Sequence, residues 1–137
     1  MGRRVPLPPS VRTALESLLG DGVVRVEIIE YSWFARLHMR AKATTRRRRI
    51  YLRGSAESFF QNPALILHEY CHVLRQWEPG LLTTPRYIGE WLRRGYWDNR
   101  FEIEAREFAT DNLYRFRALL TRSDSGSRWP QPKSASR

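Results

Sequence analysis

Residues 63–77 read PALILHEYCHVLRQW and carry the pattern His68-Glu69-Tyr70-Cys71-His72 inside an apolar run. No other stretch of the chain restricts its folding so tightly. Asn62 can cap a helix, Pro63 suits its first turn, and Pro79-Gly80 stops it. The segment is therefore expected to be helical from about residue 63 to residue 77. In a helix, residues four apart lie on one face, about one turn from each other. Two imidazoles so placed converge on one cation such as Zn2+, and Glu69 stands beside it as a proton acceptor. The neighbours Leu65, Ile66, Leu67, Val73 and Leu74 are apolar, so the helix is expected in the core. The competing reading is a pair of core histidines hydrogen-bonded internally.

Tetrahedral zinc with a reactive position needs a third protein ligand. The only histidines are His38, His68 and His72. None follows the motif, which excludes families with a downstream histidine ligand, such as the metzincins and SprT-type proteases. The third ligand is then an acid, or His38 from upstream. The acids downstream are Glu78, Glu90, Asp98, Glu102, Glu104, Glu107 and Asp111. A helix is expected from about Asn99 to Leu120, on which Ala105, Ala109, Leu113, Phe116 and Leu120 form a stripe at about 100° per residue. Glu102 falls on that stripe, and Glu104 lies about 200° away. A carboxylate at the buried end of an apolar face is costly unless something pairs with it, and a cation would. Glu102 is thus the expected ligand and Glu104 the alternative. The bland reading of Glu102 is an acid favoured by the dipole at a helix N-terminus.

The rest of the chain reads as one domain of 137 residues. Residues 1–9 and 122–137 are expected to be flexible, leaving residues 10–121 folded. Ser10 can cap a helix to Leu19. Val23 to Tyr31 and Arg48 to Arg53 read as strands, and Ser32 to Met39 is ambiguous. A helix from about Thr84 to Arg94 lies between the other two, with Thr84 as its cap and Pro85 after it. Strands followed by helices give an α+β class. A single cysteine, Cys71, excludes an internal disulfide and reads as a small buried hydrophobe, with a fourth metal ligand as the minor reading. No apolar run reaches the roughly 18–20 residues of a membrane span. No signal peptide is visible, so a cytoplasmic location is expected. The net charge of +10 is carried almost wholly by arginine. It is either a solvated surface or a surface for an anionic partner, nucleic acid or an acidic protein.

Several strings then resemble known families. Ile50-Tyr51-Leu52, LILHEYCHVLRQ, Gly95-Tyr96 and NRFEIEAREFA are together similar to the extracellular contractile injection system core domain, a small bacterial metallopeptidase-like domain. That family carries a strand before an HE-x-x-H-V-x-Q helix, here ending at Gln76. FEIEAREFA also resembles the ImmA/IrrE regulatory peptidases. An H-E-x-x-H followed by an acid ligand looks like the gluzincin branch of the zincins. These resemblances imply a zincin-like fold, with a small mixed or antiparallel sheet packed on the active-site helix and a following glutamate-bearing helix. They agree with His68, His72 and Glu102 as zinc ligands. They also imply that the strand with Ile50 and Leu52 flanks the cleft and pairs with an extended peptide. Several relatives carry Asp or Asn where this chain has Arg106, so an outer acid is expected elsewhere, for example at Asp98.

The chemistry so implied is peptide hydrolysis with Glu69 as general base. Tyr87, Tyr96 and His38 are candidate donors to the oxyanion. The alternative function is a zincin-like binding or regulatory module with a structural metal, directed to an anionic partner by the basic surface.

Overall fold

The structure, a computed structural model, describes residues 2–32, 35 and 43–128, with side chains of the last helix described as far as residue 122. His38, Trp33 and Phe34, and most of the ambiguous stretch 32–39, lie outside the described residues. The order is β1 (Arg3–Val5), α1 (Pro9–Leu19), a 3-10 turn (Asp21–Arg25), β2 (Glu27–Glu30), β3 (Ala43–Arg46), β4 (Arg49–Leu52) and α2 (Ala56–Phe60). Then come α3 (Pro63–Cys71), a π-helical stretch (His72–Trp77), α4 (Thr84–Arg94) and α5 (Arg100–Arg128). This is an α+β domain with a small mixed sheet.

The sheet runs β1-β2-β4-β3, with β2 and β4 parallel and the other pairs antiparallel. Alternation decides its faces. Ile28, Ile50 and Thr45 stand in register on the buried face, and so do Ala43 and Leu52. The helices cover that face. Leu15 of α1, Ile66, Leu67 and Tyr70 of α3, and Phe116 of α5 are all fully buried in the same core. Each of the aliphatic and phenylalanine side chains contributes roughly 1.5–3 kcal/mol. Ala105 and Ala109 are buried where α5 runs along α3. Their small side chains bring the start of α5 close to the histidines.

Three sequence expectations change here. Residues 1–9, read as a loose end, supply β1, whose backbone completes the edge of β2. The first helix begins at Pro9 rather than being capped by Ser10, because the proline ring fits the first turn without a side-chain cap. The last helix continues to Arg128, past the expected boundary at residue 121. The caps of α3 and α4 follow side-chain chemistry: Asn62 Oδ1 accepts from Leu65 N at 3.2 Å, and Thr83, one residue before the expected cap, accepts from Arg86 N at 3.3 Å.

Glu30 is a buried acid that ties three elements together. Its Oε1 accepts from Ala56 N at 2.7 Å, at the start of α2, and its other oxygen pairs with Arg3 of β1. The Ala56 amide, then Arg3, holds its carboxyl below the usual range. A depressed folded pKa contributes stability above the unfolded value and loses it as pH falls through the folded one. The melting temperature of the wild type is therefore expected to drop more steeply below about pH 4 than that of Glu30→Gln, as thermal melts across pH will show.

Candidate metal centre

α3 presents His68, and the π-helical stretch that continues it presents His72, toward the first turn of α5, where Glu102 sits. His68 Nε2 lies 2.9 Å from Glu102 Oε1, His72 Nε2 lies 3.3 Å from the same oxygen, and the two Nε2 atoms are 3.2 Å apart. Nitrogen and oxygen donors around tetrahedral zinc, at roughly 2.0–2.2 Å from the ion, stand roughly 3.3 Å from one another. The three atoms already form one face of such a site. Among the described residues these three are the cluster suited to a cation. Two imidazoles and a carboxylate are also a donor set that zinc prefers.

Burying a carboxylate costs several kcal/mol, more than one aliphatic side chain returns. Glu102 is 5% exposed on the stripe that buries Ala105, so its neighbours must compensate. Burial would raise its pKa, but hydrogen bonds from His68, His72 and Tyr87 outweigh that and hold it well below the usual range. Burial likewise opposes a charged His72, yet Glu102, with Glu69 and Gln76, raises it to about 9. Glu69 is buried beside them, and desolvation pushes its carboxyl up against the opposing pull of the histidines.

The other candidates separate cleanly. Tyr87 OH donates to Glu102 Oε2 at 2.8 Å, which leaves Oε1 turned to the histidines. Tyr96 lines the same cleft, and burial together with Glu102 and Glu69 raises its hydroxyl to about 12. Asp98 is exposed in the turn before α5 and does not join the cluster. Glu104 is also outside it; the helix turns its side chain away, where it accepts from Gln76 Nε2 at 2.7 Å. Cys71 is fully buried and is not among the clustered donors, and its thiol is pushed up to about 12, chiefly by desolvation. It is the small core residue that its apolar context implies. Arg106 stacks on Trp97, its guanidinium carbon 4.0 Å from the ring centre, and donates to the Trp97 carbonyl. It therefore points to the preceding turn.

A cleft of about 430 Å3 opens over the histidines. One side is β3, and the other is the face of α4 bearing Thr84, Tyr87, Ile88 and Trp91, residues three and four apart as a helix face requires. This corrects the expectation for residues 48–53. β4 lies inside the sheet between β2 and β3, and the strand along the cleft is β3. Its four residues, ATTR, lack the apolar alternation that marks a strand in sequence. Two contacts hold it there: Trp77 Nε1 donates to Thr45 Oγ1 at 3.2 Å, and Glu78 pairs with Arg48 of the β3–β4 turn at 3.0 Å. The four consecutive arginines at 46–49 are accordingly divided. Arg46 lies over Trp77 in the cleft, Arg48 pairs with Glu78 and Arg49 pairs with Glu27.

Residues 6–80, more than half of the chain, match the eCIS core domain. No curated protein and no solved structure matches the chain. The protein belongs to the eCIS core domain family. The matched residues contain both histidines, Glu69 and Gln76 but end before Glu102, so the third donor is assigned by geometry alone. The likeness of residues 101–109 to the ImmA/IrrE peptidases also falls outside the match and is not shown by it.

Proposed function

We propose that this eCIS core domain is a zinc-dependent peptidase of the zincin-like, gluzincin type. The observation that carries the reading is the triangle of His68, His72 and Glu102 donor atoms in the floor of an open cleft, with Glu69 beside it. His68 Nε2, His72 Nε2 and Glu102 Oε1 would hold the ion. Zinc bound there supplies Lewis-acid polarisation of a carbonyl and acidification of water. Glu69 takes the proton from the water as its oxygen bonds to the scissile carbon, then delivers it to the leaving nitrogen as the C–N bond breaks. Tyr87 keeps Glu102 oriented, and Tyr96, which lines the same cleft, donates to the oxygen on which negative charge develops. The substrate is a peptide lying extended along β3, with apolar side chains against Ile88 and Trp91.

The test is direct. Purified protein is titrated with zinc while its melting temperature and its hydrolysis of a peptide library are followed. Uptake of one equivalent, a higher melting temperature and cleavage that a chelator abolishes are expected. Protein that binds zinc stoichiometrically but cleaves no peptide would count for the binding-module alternative.

A further inference from the structure

Gln76 is fully buried beneath the metal site, and its amide touches three groups. Its Nε2 donates to the Phe101 carbonyl at 2.9 Å and to Glu104 Oε1 at 2.7 Å. Both are acceptors only, so the NH2 must face them and the amide cannot be flipped. Gln76 Oε1 is then left facing His72 Nδ1 at 2.7 Å. An amide oxygen only accepts, so His72 Nδ1 must carry the hydrogen. In neutral His72 the lone pair is consequently on Nε2, the atom that faces His68 Nε2 and Glu102 Oε1.

We propose that Gln76 is a positioning residue for the metal centre: Glu104 and the Phe101 carbonyl orient its amide, and the amide fixes the ring and tautomer of His72. The inference rests on the zinc reading above and adds a role for a side chain that does not itself touch the ion. Phe101 and Glu104 flank Glu102 in sequence. The same amide therefore joins the second histidine to the helix turn that presents the carboxylate. Glu104 would act on the centre through this amide, without ligating.

The experiment uses the full chain with 15N-labelled histidine, together with zinc affinity measured by competition with a chromogenic chelator. Wild type is expected to show a slowly exchanging His72 Nδ1–H signal with or without zinc. Gln76→Met is expected to lose that signal and to bind zinc roughly 10–100-fold more weakly. Because Gln76→Met leaves buried polar groups unpaired and could unfold, Gln76→Glu combined with Glu104→Gln is the second variant. There a carboxylate still accepts from His72 Nδ1 and residue 104 becomes a donor, while only the bond to the Phe101 carbonyl is lost, so the signal and part of the affinity should return. A wild type without the protected Nδ1–H, or a folded Gln76→Met with unchanged zinc affinity, overturns the proposal while the peptidase reading stands. A double variant that folds but recovers neither signal nor affinity also overturns it. A wild type that takes up no zinc overturns both.

Discussion

Glu69→Gln is expected to reduce kcat/KM for peptide hydrolysis by roughly 10²–10⁴-fold, the range in which a positioned general base contributes. That corresponds to about 3–5 kcal/mol of lost transition-state stabilisation. The substitution keeps size and shape, so the surroundings of this 6% exposed side chain are preserved. It removes only the ability to take and return a proton. Glu69 is not one of the three clustered donors, so zinc stoichiometry should be unchanged. Burial pushes the Glu69 carboxyl up from its ordinary range, against the pull of His72 and His68. Steady-state kinetics paired with metal analysis on one sample checks this. An unimpaired variant would remove Glu69 from the mechanism, however well the protein bound metal.

Glu102→Ala is expected to weaken zinc binding by more than about 100-fold, beyond the roughly 10–100-fold that outer partners produce. Glu104→Ala is expected to change it by less than about tenfold, since Glu104 contacts Gln76 and not the histidines. The contrast follows from one helix. Glu102 is 2.9 Å from His68 and buried on the alanine stripe, while Glu104 faces outward two residues on. Competition titrations of both variants distinguish these outcomes. If Glu104→Ala proved the more damaging of the two, the assignment of the third ligand would be reversed.

The parts of this site that could be read in advance depend on helical periodicity. His68 and His72 share a face because they are one turn apart, and Glu102 shares a face with Ala105, Ala109 and Phe116 for the same reason. The cap at Asn62 is equally local, and the cap of α4 falls at Thr83, one residue before the expected Thr84. The misread parts are pairings between distant segments. Arg3–Val5 has no strand pattern of its own and becomes β1 only against β2. Ala43–Arg46 becomes the cleft edge only because β4 pairs with β2 on its other side. The short helix Ala56–Phe60 and the π-helical stretch from His72 likewise carry no periodic signal long enough to find. Tyr87 was visible as a tyrosine near the site. Its hydrogen bond to Glu102 crosses from α4 to α5 and exists only once those helices are placed.

The amino-acid sequence alone determined a helix with two histidines one turn apart, its stop at Pro79-Gly80, and a later helix with one carboxylate on its apolar face. Spacing along a helix is a local property, so it survives without knowledge of the fold. The tertiary structure alone decided that the two helices meet at that turn and that Gln76 joins them. It also decided that β3 rather than β4 borders the cleft. Those results depend on which surfaces bury each other, and burial is settled by the whole chain at once.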